Sequence, residues 1–300
     1  MYASNQTVDE TFYIKEIKEG KANQGKGKPY LSLTLCNKEG EIEAKYWDMD
    51  LIRANCRQGD YASIKGQTNL FNNVAQLTIY QLHKTDPVDL MRESLLSAEI
   101  LQQKTSSLIE QYVPAQSLSA KLWQRFVSNA ELYEKYCNAP AAISFHSNCK
   151  RGLWEHSVKV AEFVAPLLAV EEKGIGVVTS LLHDIGKCRS IFWQGPAPTM
   201  TTTGKLLDHI VLGVIELMPL LEEFPEQYKS LFLNGIVSHH GRLEWGSPVL
   251  PKTKFAALIH QADMLDSRAQ HLEQLGEWEG WSPYDRMLGS EIYSAGGEIL

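Results

Sequence analysis

The sequence predicts a multi-domain α+β protein: a small five-stranded β-barrel at the N-terminus, then an all-α bundle. Three observations predict it. Apolar residues alternate with period two through residues 11–83. From about residue 86 the pattern turns helical and is punctuated by Pro and Gly. The 300 residues, 44% hydrophobic and 22% charged, suffice for two buried cores.

The strands come first. Residues 11–17 alternate, 20–29 form a Gly/Lys-rich loop, and 30–36 alternate again. Asn37-Lys38-Glu39-Gly40 reads as a hairpin turn into a strand over 41–47. Gly59-Asp60 precedes a strand over 61–66, and Asn72-Asn73 turns the chain into 74–82. Five short strands in about 75 residues suit a closed barrel of OB type. Such barrels bind single strands through exposed aromatics and flanking basic loops. Tyr30, Tyr46, Trp47 and Phe71 are the candidate stacking residues, with Lys26 and Lys28 beside them, although half of such rings are expected in the barrel core.

Thr85-Asp86-Pro87 reads as the linker. Helices are expected over 88–112, 117–137, 152–171, 175–185, 203–221, 226–240 and 252–273, with loops at 174–176 and 195–198. The domain reading is barrel 10–85, a helical region 86–138 packing on the next domain, a catalytic helical domain 139–275, and a tail 276–300. Trp123 and Phe126 are candidates for a homo-oligomer contact as well as for the intrachain core.

Charge and cysteine usage narrow the classes. The net charge is −7. Residues 1–85 carry 11 Lys+Arg against 10 Asp+Glu, and residues 86–300 carry 18 against 26. Indiscriminate coating of nucleic acid is therefore excluded, and the barrel is the better phosphate-facing part. No apolar run reaches the roughly 18 residues of a membrane span. A polar, acidic N-terminus and five cysteines without Cys-x-x-Cys spacing point to a cytoplasmic protein with reduced thiols.

The chemistry concentrates in the helical part. Leu181-Leu182-His183-Asp184-Ile185-Gly186-Lys187 delivers two metal-type ligands at the end of an apolar helix. His156 has apolar helical neighbours in Leu153 and Val160, and Asp263 follows a mostly apolar segment. A buried carboxylate there calls for a cation. His209 and the pair His239-His240 supply a second set. With Asp184 bridging, one ion takes His156, His183 and Asp263, and the other takes His209 and His239, with His240 either a further ligand or a neighbour of the substrate. Helical geometry favours His239 as ligand and His240 as a substrate contact. Two ions about 3.5–4 Å apart activate water and clamp phosphoryl oxygens, so a metal-dependent hydrolase is expected. Asp184, Lys187 and His240 are the candidate catalytic residues, Lys187 through substrate phosphate. Thr201-Thr202-Thr203-Gly204-Lys205 caps a helix without Walker A spacing.

His156, His183-Asp184 and Asp263 resemble the H…HD…D signature of the HD-domain phosphohydrolases. The chain is further similar to the YhaM family of 3′-to-5′ exoribonucleases. The similarity is carried by barrel-then-helix order, Phe145-His146 followed by Gly152-Leu153-Trp154-Glu155-His156, the 202–210 segment, and Ser238-His239-His240-Gly241 with Gly246-Ser247-Pro248. The family has His-His where this chain has His146-Ser147, and Gly-Gly where it has Arg151-Gly152. The resemblance implies hydrolysis of single-stranded RNA, or DNA, from the 3′ end with manganese, or with cobalt, iron or magnesium in its place. It adds His146 and Lys205 as substrate contacts. A nucleotide phosphohydrolase, a cyclic-nucleotide phosphodiesterase and a non-catalytic nucleic-acid binder are the competing readings.

Overall fold

A computed structural model of the chain describes residues 5–21, 28–47, 56–71, 74–143, 147–274 and 279–295. Lys26 and His146 lie outside these residues. Two compact units emerge: residues 1–93 with 193–199, and residues 94–192 with 200–300.

The first unit is a closed barrel. Its strands are β1 (Thr7–Lys21), β2 (Pro29–Asn37), β3 (Gly40–Tyr46), β4 (Tyr61–Phe71) and β5 (Val74–Thr85). Their order around the barrel is β1-β2-β3-β5-β4, the OB arrangement, with β3 and β5 parallel and the other neighbours antiparallel. Alternation sends Phe12, Ile14, Leu33, Leu35, Ala44, Ile64 and Leu77 inward. Full burial of a large apolar side chain contributes roughly 1.5–3 kcal/mol. The strands outrun their sequence estimates because barrel pairing continues through polar residues. Asn69↔Gln76 and Glu19↔Leu31 are paired although their segments lack clean alternation.

The second unit begins with a departure from expectation. Residues 88–97 are not helical; α1 (Ala98–Tyr112) starts after Ser97, whose side chain accepts from the Ile100 N–H. The helix expected over 117–137 is two, α2 (Leu118–Ser128) and α3 (Ala130–Asn138). Asn129 ends one and caps the other by accepting from the Leu132 N–H at 3.3 Å. α4 (Gly152–Val164) stops at a 3-10 turn containing Pro166. α5 (Val170–Leu182) runs through the predicted 174–176 loop. Gly174 and Gly176 serve packing there, since a Cβ on Gly176 would lie 2.2 Å from Leu168. Arg151, just before α4, is left-handed at φ 68.

Beyond α5 come α6 (Lys187–Ser190), a hairpin β6 (Ile191–Gln194) and β7 (Ala197–Met200), and α7 (Thr202–Leu217). The hairpin stands where a loop is expected over 195–198, and its residues 193–199 belong to the barrel unit; its turn glycine, Gly195, has φ 61 and lies against Tyr13 within that unit. α8 (Glu226–Val237) and α9 (Lys254–Gln274) complete the bundle. A short pair, β8 (Gly280–Trp281) and β9 (Tyr293–Ser294), follows, and His271 on α9 meets Asp285 at 2.7 Å. Leu101, Leu122, Phe126, Tyr136, Leu153, Val177, Leu181 and Phe232 share one core. Phe126 is fully buried in it, so it does not face another subunit, whereas Trp123 packs at its edge. No helix among the described residues is long and apolar enough to cross a membrane.

Candidate metal centre

Five elements of the helical unit deliver one cluster. α4 brings His156, the end of α5 brings His183, and the turn after it brings Asp184. α9 brings Asp263, whose Oδ1 is 3.2 Å from His156 Nε2. His209 enters from α7 directly behind a break in that helix: Asp208 has φ 62 and ψ 160, a conformation that costs a non-glycine residue on the order of 1–3 kcal/mol. His239 and His240 follow the end of α8.

Asp184 is the centre of the cluster. Its Oδ2 lies 3.6 Å from His156 Nε2 and 3.4 Å from His183 Nε2, and its Oδ1 lies 3.3 Å from His209 Nε2 and 3.4 Å from His239 Nε2. Lys187 Nζ sits 2.5 Å from Oδ2. Burial works against the carboxylate, but Lys187 and His183 outweigh it and hold Asp184 well below the usual range. Asp263 is likewise held low against its burial, chiefly by His156.

The far nitrogens of the rings decide what the cluster can hold. A carbonyl can only accept, so Nδ1 of His183 must donate to Ser180 O at 2.7 Å, and Nδ1 of His239 to Ile236 O at 2.6 Å. Nδ1 of His240 donates to Trp245 O at 2.8 Å. Carboxylates hold the other two: Asp266 meets His156 Nδ1 at 2.6 Å, and Asp208 meets His209 Nδ1 at 2.6 Å. Every imidazole is thereby turned with Nε2 toward the cluster, the arrangement by which metal-binding histidines are oriented. His183 Nε2 and Asp184 Oδ1 are buried without a hydrogen bond of ordinary geometry. His209 Nε2 and His239 Nε2 stand 3.3 Å apart. Converging lone pairs, orphaned buried atoms and carboxylates fit a divalent cation. His156, His183 and Asp184 form one potential ligand group, and His209, His239 and His240 another.

The expectation that His239 and His240 cannot both face one ion rested on both being helical. α8 ends at Val237, and the turn after it brings the His240 ring within 5.0 Å of the His209 ring. Burial, and then His239, keep the pKa of His240 below its ordinary value, so near neutral pH it is uncharged with a free Nε2.

Asp266 went unnoticed in the sequence. Its only signal there was the three-residue spacing from Asp263, which puts both on one helix face. Gln270 donates to Asp266 Oδ2 at 2.6 Å and accepts from Ser147 Oγ at 2.7 Å, so the carboxylate is itself held. Asp266→Ala is expected to weaken metal binding by about 10–100-fold while the protein stays folded, as read by chelator competition.

Burial pushes His156 down, but Asp263 and Asp266 at its two nitrogens raise it to about 9. In the metal-free protein at neutral pH the ring is therefore an imidazolium, and a cation must displace the Nε2 proton. Metal affinity is expected to rise with pH and to level off above about 9. Calorimetry in buffers of different ionisation enthalpy checks this by the proton released at pH 7.

The remaining candidates fall elsewhere. Lys205 is exposed on the first turn of α7. On the barrel, Tyr30 and Trp47 have ring centroids 5.0 Å apart, and Lys45 Nζ lies 4.7 Å over Tyr30. Trp47 is 50% exposed and Phe71 64%. Tyr46 instead packs against the barrel core, since its inward register beside Ile79 leaves the ring half-buried. Lys28 is exposed.

The HD domain family model matches residues 153–268, the span from α4 into α9 that holds the cluster. The 3′-5′ exoribonuclease YhaM of Listeria innocua is 30% identical over 286 residues, covering 91% of this chain and 89% of that protein. The protein of the same name from Bacillus subtilis is 28% identical over 291 residues, covering 91% and 89%. Among solved structures, the second OB-fold domain of replication protein A from Methanococcus maripaludis is similar to 28% of this chain and 89% of that one, at 17% identity and a TM-score of 0.24. A barrel followed by an HD-domain cluster, matched along most of both chains by a relative at 30% identity, places this chain in the YhaM family of 3′-5′ exoribonucleases.

Proposed function

We propose that the protein shortens single-stranded RNA from its 3′ end and releases nucleoside 5′-monophosphates, with single-stranded DNA as a second substrate. The observation that carries this reading is the set of four imidazoles whose Nε2 atoms converge on Asp184, with the His240 ring beside those of His209 and His239. The activity for which the relatives are named agrees with it.

His156, His183 and Asp263 would hold one divalent ion, manganese in the first instance, and His209, His239 and His240 a second, with Asp184 common to both. Bound ions supply Lewis acidity toward the scissile phosphate and acidify water near it. The chain's own groups do the rest. Asp208 and Asp266 keep His209 and His156 in the tautomer that presents Nε2. Lys187 keeps a positive charge beside Asp184, where charge builds on the phosphate during in-line displacement. His240, uncharged near neutral pH, with its one proton committed to Trp245 O and its Nε2 turned to the second ion, has no proton to give. Water is then the donor to the departing 3′ oxygen. The Tyr30–Trp47 pair with Lys45 offers a sequence-tolerant stacking and phosphate contact for the strand behind the 3′ end.

A 5′-labelled 20-mer of RNA, and the same sequence in DNA, incubated with manganese or with chelator, tests the reading. A ladder that shortens from the 3′ end only with metal, with mononucleotide products, is expected. Release of dinucleotides or inorganic phosphate overturns it, and turnover of mononucleotides or cyclic nucleotides alone makes the site that of a small-nucleotide hydrolase.

A further inference from the structure

The loop that follows His240 carries an indole that packing does not explain. Gly241, left-handed at φ 74, starts the loop; a Cβ there would lie 2.3 Å from the His260 ring. The 3-10 turn Leu243–Trp245 follows, and Gly246 at φ 92 ends it. Backbone bonds from Trp245 N and Ser247 N to Arg242 O, at 3.1 and 3.2 Å, close the loop on itself. Trp245 remains 43% exposed. One side of its ring leans on His260, centroids 6.1 Å apart, and the Arg242 guanidinium lies 4.7 Å over the ring. Among the described residues, the ion pair of Arg242 is a loose, exposed one of 3.9 Å with Glu244, too weak to fix it.

Two features tie this pair to the metal cluster. The Trp245 carbonyl accepts from His240 Nδ1, so one hydrogen bond separates the indole's backbone from a ring of the cluster. His260, on which the indole leans, donates from Nδ1 to His239 O at 2.9 Å. The indole's position is thus fixed by the same residues that fix His239 and His240. An exposed aromatic face with a guanidinium on it is the chemistry that receives a nucleobase and its phosphate.

We propose that Trp245 and Arg242 form the subsite for the 3′-terminal nucleotide. The base stacks on the indole, and the guanidinium, now resting on that ring, pairs with the nucleotide's phosphate. Stacking accepts any base, which suits an enzyme that must remove each nucleotide in turn. The inference rests on the exonuclease reading above and names its substrate contact.

The test compares two 5′-labelled RNAs that differ only in the last nucleotide, ordinary or abasic, using the full-length protein with manganese. Trp245→Ala is expected to raise KM for the first cleavage of the ordinary RNA on the order of tenfold, with kcat little changed, and Trp245→Phe to stay near wild type. The abasic end is expected to cost the wild type a similar factor and to cost W245A nothing further. Arg242→Ala is expected to raise KM on both RNAs. Equal losses for W245A on both RNAs overturn the proposal and make Trp245 a support for the His240 loop. No change in W245A overturns it too. Should W245A lose metal, Trp245→Leu on the same two RNAs takes its place, with metal content measured alongside. A wild type that shortens neither RNA rejects the exonuclease reading itself, a result distinct from shortening both without discrimination.

Discussion

Asp184→Asn is expected to lower kcat by roughly 10³–10⁵-fold at saturating manganese, the scale on which residues that act as a unit fail together. Among the described residues it alone faces both ligand groups, with Oδ2 toward His156 and His183 and Oδ1 toward His209 and His239. Asparagine keeps the shape but removes the charge and turns one acceptor into a donor aimed at imidazole lone pairs. It also strips Lys187 of the carboxylate it pairs with, leaving that cation closer to uncompensated beside the site. Both losses act against cation binding, so the manganese isotherm should weaken at both sites together. Loss at one site with the other intact would mean that Asp184 does not bridge. Activity within tenfold of wild type would remove Asp184 from the chemistry.

His156, His183 and His209 were legible because each stands beside apolar residues in a helical pattern, where an ionisable side chain needs a reason, and His239 and His240 because they are an adjacent pair. The barrel was legible because its strands alternate, as in Leu31, Leu33 and Leu35 with Ser32 and Thr34 between them. What was not legible depends on contacts between distant segments. Asn129 divides a continuous helical pattern because it caps both ways, which no apolar period records. Gly174 and Gly176 look like a loop, yet they are small so that Pro114, Ser119 and Leu168 can come close. α8 ends at Val237, three residues short of the helix expected to reach 240, and those residues decide whether His240 faces the cluster. Asp208 and Asp266 act only through the rings they hold, so neither carries a ligand's spacing signature. Tyr46 carries the same aromatic signal as Trp47, and only barrel register sends one toward the core and leaves the other in solvent.

Gly186→Ala is expected to be severe, and its partner Gly213→Ala nearly silent, though the two glycines face each other. Gly186 has φ −64 and ψ −16, which any residue adopts, so backbone freedom is not its purpose. Its purpose is close approach. A Cβ there would lie 1.9 Å from His209 O and 2.4 Å from Gly213 N, both backbone atoms that cannot rotate away. α7 would have to move as a body, and His209 would move with it, away from Asp184. Overpacking of this kind costs about 3 kcal/mol or more, which for a chain of this size lowers Tm by roughly 6–12 °C. A Cβ on Gly213 meets Gly186 N at 3.4 Å, an ordinary contact, and alanine in that helix gains up to about 1 kcal/mol over glycine. Thermal unfolding of the two variants, with manganese binding measured alongside, separates the cases. A G186A protein that melts like wild type and binds metal normally would show that the HD turn and α7 can part without harm. The glycine after His183-Asp184 would then have no structural role in bringing His209 to the ions.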